Sequence, residues 1–210
     1  MTTGSLTRTA YDNLRADIIA GEIEAGTILS ERDLAETFGI SRTPLRSALS
    51  RLEREGLIER LVNGALLVRA VTVEKLLEIL GLRQLLEAAA AARAAGFGLT
   101  PALRAARDAA QGFLDTPSDF ESFWAEDEKF HMAVAEAAGL VFLPVILAEQ
   151  RAIVQRSTII RTHARFDQQS REHIAVIDAI AARDPQAAHA AMSQHFEAMK
   201  ARSIGMLSDP

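Results

Sequence analysis

The chain contains no cysteine, which removes disulfides, thiolate zinc sites and cysteine nucleophiles and fits a reducing compartment. Aromatics are scarce at 5%, whereas alanine clusters such as "EAAAAARAAG" recur. Alanine loses little side-chain entropy in a helix, so an all-strand fold is not expected. Long apolar runs are also missing. The longest, "GLVFLPVILA", is interrupted by Pro144 and is too short to cross a bilayer. The opening "MTTGSLTRTAYDNL" has no apolar segment of the signal-peptide kind, and a cytoplasmic protein without membrane contact is expected. Positive charge is in deficit: the net charge of -5 argues against a generally sticky nucleic-acid binder but leaves a local patch open.

What is present suits a folded chain. The 210 residues are 49% hydrophobic and 24% charged, too apolar for disorder and enough for one large core or two smaller ones. Residues 1–70 hold nine arginines, no lysine and ten acids. Within that segment, Ser41 to Leu52 carries Arg42, Arg46 and Arg51 and no acid, so positive charge is local.

The pattern predicts a helix over residues 7 to 20, with Leu14, Ile18 and Ile19 apolar and Gly21 as its stop. A second helix starts after Ser30, a natural N-cap with Glu31 and Asp33 in the first turn, and ends at Gly39. Leu34, Ala35 and Phe38 form its inner stripe. Ser41 or Thr43 then caps a third helix, in which Pro44 is tolerable because first-turn N–H groups lack intrahelical partners. Its apolar side is Leu45, Ala48, Leu49 and Leu52, leaving Arg42, Thr43, Arg46 and Ser47 on the other. Two helices around a short turn, the second with a polar N-terminal end, make a helix-turn-helix pattern. After Gly56, "LIERL" and "VNGALLVR" flank Asn63-Gly64, which predicts a hairpin with a type I′ turn and both residues at positive φ. That hairpin would be a wing. An arginine fork suits guanine or phosphate, so a DNA-binding winged helix is expected.

The segment "AGTILSERDLAETFGISRTPLRSALSRLEREGLIERLVNGALLV" resembles the DNA-binding domain of the GntR family of bacterial transcription regulators, over nearly all of residues 8 to 70. The resemblance implies that Arg32, Arg42 and Arg46 read bases or phosphates and that Ser41 and Thr43 position the DNA backbone. It also places Asn63 and Gly64 at a wing tip facing the minor groove. "RLVNGALLV" lacks the Pro and Arg often found before that Gly in the family.

Beyond a first domain over 1–70, residues 73 to 205 read as about six helices. Breaks fall at "GFGLTP", "DTPSD", "AAGLVFLP", "THARFDQQ" and "RDPQ". The fold class is therefore mainly α, an N-terminal winged helix-turn-helix followed by an all-α bundle over 71–210. All five histidines lie in the bundle segment. Asp127 and His131 stand one turn apart on one helical face. They could be a metal site, half a catalytic dyad or two polar residues on a wet face. His173 and His195 are each 11 residues from a turn centred near residue 184. Antiparallel neighbours then bring both to one level, whereas His189 lies too near the turn and His163 falls just before a break. One carboxylate oxygen and three imidazole nitrogens would suit divalent Zn, Ni, Co, Mn or Fe.

"LRQLLEAAAAARAA", "DEKFHMAVAEAAG" and "EHIAVIDAIAARDPQAAHAAMSQH" resemble the FCD ligand-binding domain of the FadR-like branch of the GntR family, over roughly residues 73 to 200. Six helices look more like its VanR-type subgroup. The resemblance implies a divalent metal held by Asp127, His131, His173 and His195. Arg83 matches the family's internal arginine. It could form a surface pair with Glu87, or point into the bundle and meet an anionic effector. Leu140 stands where the family often has Asn. The reading that follows is a homodimeric repressor binding a palindromic operator in double-stranded DNA, modulated by a small carboxylate at the metal. A metal-dependent enzyme and a purely structural metal are the alternatives. For catalysis no second carboxylate stands at helical spacing from the four residues, Glu128 and Glu197 being out of phase.

Overall fold

Polar side chains set most of the helix starts. In the computed structural model, which describes residues 3–116, 119–157 and 166–205, the chain divides into two units. One is Met1–Val71 with Gln155–Ser157, and the other is Thr72–Val154 with Thr158–Pro210.

The first unit contains α1 (Thr3–Ala20), β1 (Ile28–Leu29), α2 (Glu31–Phe38), α3 (Arg42–Arg54), β2 (Ile58–Arg60) and β3 (Leu66–Val68). Ser30 caps α2 by accepting from Asp33 N at 3.3 Å, and Gly39 closes it at φ 61°. Ser41 is the N-cap residue of α3 without a side-chain cap bond. Leu45, Ala48, Leu49 and Leu52 of α3 are buried with Leu14 and Ile18 of α1 and Ile58 and Leu66 of the sheet. Each fully buried leucine there contributes about 1.5–3 kcal/mol. Leu34, Ala35 and Phe38 of α2 pack only partly buried against that core. Ile19 is half-buried, while Ala10 and Tyr11 are buried instead. The sheet order is β1-β3-β2, both pairings antiparallel.

The hairpin forms, but its turn differs from the type I′ expectation. Gly64 has φ 85° and Asn63 does not share the positive φ. Leu61 N donates to Ala65 O and Gly64 N to Leu61 O, both at 2.8 Å. The loop is thus three residues, a turn followed by one left-handed glycine, so only the glycine needs φ > 0. Asn63 serves through its side chain, Oδ1 accepting from Ala65 N at 3.0 Å.

The second unit is helical: α4 (Val73–Phe97), α5 (Pro101–Asp115), α6 (Phe120–Ala137), α7 (Leu143–Gln155), α8 (Phe166–Ala181) and α9 (Pro185–Gly205). These six are the helices among its described residues. Thr72, Thr100 and Asp119 cap α4, α5 and α6. α9 packs on α4 and α8, and α5 on α6 and α8. Ala88, Ala90, Ala91, Ala94 and Ala95 of α4 are buried, so the alanine bias lets helix backbones approach closely around polar side chains. Ile177 and Ile180 of α8 are buried, Ile174 is half-buried, and Ala181 at its end is exposed. No described helix is long and apolar enough to cross a membrane.

Candidate metal centre and DNA-reading helix

In the first unit, the face of α3 opposite the core exposes Ser41, Arg42, Thr43, Arg46 and Ser47. This outward polar face follows directly from burying Leu45, Ala48, Leu49 and Leu52. The acid-free window does not leave all its arginines unengaged, because acids arrive from other segments. Glu31 of α2 places Oε2 2.9 Å from Arg46 Nε and Oε1 3.5 Å from Arg60 Nη1. The hydrogen bond from Arg46 holds the Glu31 carboxyl below its ordinary range. Arg60 also donates to Gly64 O at the wing turn, 3.3 Å away. Arg51 lies 3.7 Å over the Tyr11 ring and 3.1 Å from Glu55 Oε1, so it belongs to the unit's own packing. Arg32 is exposed beside Asp33 at 3.1 Å. Asn63 and Gly64 are exposed at the hairpin tip.

In the second unit, four polar side chains converge among α6, α8 and α9. Asp127 and His131, one turn apart on α6, are both buried, as are His173 on α8 and His195 on α9. Ring centroids are 4.9 Å apart for His173 and His195, 5.5 Å for His131 and His195, and 5.7 Å for His131 and His173. The three histidines each offer one ligand atom within 4.8 Å of the others. Asp127 Oδ1 lies 3.7 Å from His131 Nε2 and 3.5 Å from His173 Nε2. All three Nε2 atoms are buried without a hydrogen-bond partner. Three orphaned nitrogens at one point would each cost of the order of 1–3 kcal/mol. A divalent cation would satisfy all three at once, and this donor set suits one.

Around these groups stands a ring of charged partners. Glu87 Oε2 accepts from His131 Nδ1, and Glu172 Oε2 lies 2.8 Å from His195 Nδ1. Arg83 Nε is 2.8 Å from Glu87 Oε1. Arg202 grips Glu172 with Nη1 to Oε1 at 2.8 Å and Nη2 to Oε2 at 3.1 Å. Arg151 Nη1 donates to Asp127 Oδ2 at 2.8 Å, Nη2 donates to Trp124 O, and the guanidinium lies 3.9 Å over the Trp124 ring. Phe130 stacks on His173 with centroids 3.9 Å apart.

Burial drives His173 well below the ordinary imidazole range and lowers His195 as well, which favours neutral rings with available lone pairs. Burial pulls His131 the same way, but Glu87 and Asp127 outweigh it and raise its pKa, so an ion there competes with a proton. Burial opposes ionisation of Asp127, yet His131 and Arg151 hold its carboxyl well below its usual range. A cavity beside Asp127 and His173, lined also by Ala106, Phe113, Phe123 and Ser170, has a volume of about 10 Å³, the size of one water.

Comparison with known proteins gives these two constellations a context. Residues 6–68 match the family described as "Bacterial regulatory proteins, gntR family", and residues 78–198, more than half of the chain, match the "FCD domain". The chain belongs to the GntR family, in its FCD-containing branch. The "Gluconate operon transcriptional repressor" of Bacillus subtilis (strain 168) is 27% identical over 173 residues, covering 81% of this chain and 70% of that protein. The "HTH-type transcriptional repressor RspR" of Escherichia coli (strain K12) is 28% identical over 200 residues, covering 89% and 84%. The solved structure titled "E. coli McbR/YncC" superposes with a TM-score of 0.71 at 20% identity, covering 96% of this chain and 98% of that one. As a GntR-family member the chain is a DNA-binding transcription regulator with an FCD effector-binding domain, and not an enzyme.

Of the residues singled out in the sequence, the structure brings Asp127, His131, His173 and His195 to one point, and it places Ser41, Arg42, Thr43 and Arg46 on one exposed face. His189 is exposed, and His163 lies outside the described residues. Arg83 points inward as one of its two expected placements held. It nevertheless makes the Glu87 pair of the other, now buried rather than at the surface. Leu140 is half-buried. Sequence reasoning missed Glu87 and Glu172 as contacts of His131 and His195, along with Arg151 and Arg202. It searched for carboxylates at helical spacing, whereas Glu87 and Glu172 reach their histidines from neighbouring helices. Only Arg202, two turns beyond His195 on α9, carried a positional signal.

Proposed function

We propose that this GntR-family regulator is a cytoplasmic homodimeric repressor whose hold on a palindromic operator is set by a small carboxylate at a metal ion. Asp127, His131, His173 and His195 would hold a divalent cation, with Zn, Ni, Co, Mn and Fe as the chemical candidates. The convergence of three orphaned Nε2 atoms beside Asp127 Oδ1 carries this reading. A bound ion of this kind acts as a Lewis acid that anchors a carboxylate oxygen.

Charge favours an anionic ligand. The buried cations Arg83 and Arg151, with the nearly buried Arg202, balance Asp127, Glu87 and Glu172. Glu128, 3.2 Å from Arg151 Nε, is half-exposed and solvated. A divalent ion would add two positive charges to that balanced set, and an anion offsets them. Arg83 is assigned to the effector side, its Nε committed to Glu87 and its guanidinium 5.3 Å from the Phe196 ring. One relative is named for a gluconate operon, which fits an organic acid as the class of signal. On DNA, Arg32, Arg42 and Arg46 would contact bases or phosphates, Ser41 and Thr43 the backbone, and Asn63 with Gly64 the minor groove. Two-fold symmetry of the protein would be mirrored in the operator.

The narrow cavity of about 10 Å³ supports a second reading, in which the ion only staples the bundle. One measurement tests the ligand set that both readings share, and a second separates them. His173→Ala should lower metal content by elemental analysis, and full retention would contradict the ligand set. With metal loaded, at least one of a panel of small carboxylates should raise the unfolding temperature and alter operator affinity. No response to any of them leaves the staple.

A further inference from the structure

The geometry points to Glu87 and Glu172 as positioning residues of the metal centre, fixing the His131 and His195 rings with Nδ1 protonated and Nε2 free to bind the ion. This rests on the metal reading above.

An imidazole presents a lone pair on one nitrogen only when its proton sits on the other, and the partner of the second nitrogen decides which. Glu87 Oε2 meets Nδ1 of His131, and Glu172 Oε2 meets Nδ1 of His195 at 2.8 Å. Neither carboxylate can turn away. Arg83 holds the other oxygen of Glu87 at 2.8 Å, and Arg202 holds both oxygens of Glu172. An arginine-bound carboxylate is ionised and accepts only. The ring nitrogen facing it must donate, which makes Nε2 the lone-pair nitrogen of the neutral ring. Both Nε2 atoms are the orphaned ones.

The same device recurs at the carboxylate ligand. Arg151 takes Asp127 Oδ2 and leaves Oδ1 on the side of the His131 and His173 Nε2 atoms. At His173 the contact is the stacked Phe130 ring, with centroids 3.9 Å apart. A purely structural account is weak for the Arg83 and Glu87 pair. Both belong to α4, so the pair joins no two helices, and burying it costs desolvation that apolar side chains would avoid. What Glu87 reaches across to is His131 on α6.

The test uses the full-length chain, zinc and ¹⁵N-histidine labelling. Zinc affinity is read by competition with a chromophoric chelator, and ring protonation by long-range ¹H–¹⁵N spectra of the zinc-loaded protein. Glu87→Gln and Glu172→Gln should each weaken zinc binding about 10- to 100-fold. Glu87→Gln should change the Nδ1 signal of His131 and leave that of His195, and Glu172→Gln should do the reverse. If Glu87→Gln does not fold, Glu172→Gln, whose side chain reaches solvent, decides with His195 as reporter. Zinc uptake by the wild type with unchanged affinity and unchanged spectra in the variants overturns this assignment alone. No zinc uptake by the wild type overturns the ligand set and the assignment together.

Discussion

Arg46 and Arg51 sit on one helix and do different work. Arg51 is engaged inside its own unit, between the Tyr11 ring and Glu55, whereas Arg46 is exposed and, among the described residues, paired with Glu31. Arg46→Ala should therefore weaken operator binding by about 1–3 kcal/mol, measured by fluorescence anisotropy at one fixed salt concentration because affinity for DNA varies steeply with salt. Unchanged affinity would remove Arg46 from the reading face. The arginine's exposure was legible from helical phase. Its partner was not, since Glu31 lies 15 residues earlier on another helix and no window along the chain brings them together. Glu87 and Glu172 escaped for the same reason, while Asp127 and His131 were visible because one helical turn suffices to pair them.

At the level of elements, the wing shows how a correct assignment can carry a wrong detail. Asn-Gly marks a hairpin, but the closing Leu61–Ala65 pair makes the loop three residues long, and the left-handed position falls on Gly64 alone. An added Cβ at Gly64 meets nothing within 4 Å, so Gly64→Ala tests conformation without a clash. It should destabilise the first unit by about 1–2 kcal/mol, seen as a lower urea midpoint, and an unmoved midpoint would show that the turn relaxes freely. The two-residue strand β1 was too short to leave a periodic signal. By contrast, α8 and α9 were legible enough to be measured: equal distances from one turn placed His173 and His195 level, and their rings stand 4.9 Å apart.

For the whole molecule, a metal that binds only the folded state stabilises it by mass action, about 2.7 kcal/mol at a free concentration 100 times its dissociation constant. Stripping the chain with a chelator should lower the unfolding temperature of the unit that holds Asp127 and the three clustered histidines, and re-adding metal should restore it. Calorimetry on the stripped and reloaded chain checks this, and identical transitions would argue against a bound ion. A winged helix-turn-helix followed by a helical bundle was foreseeable from the hairpin and helix-stop signals, because those signals are local. The charged ring around the centre was not, because it is assembled from α4, α6, α7, α8 and α9.

The cavity beside Asp127 and His173 has a kinetic consequence. With room for about one water, it would admit a larger molecule only once the side chains or helices that line it move apart. Capture of a ligand there should then be gated, and slowed as binding that requires a conformational change is. In stopped-flow mixing, the observed rate should level off as ligand concentration rises, at the frequency with which the bundle opens. A rate that climbs linearly without limit would mean that the door stands open.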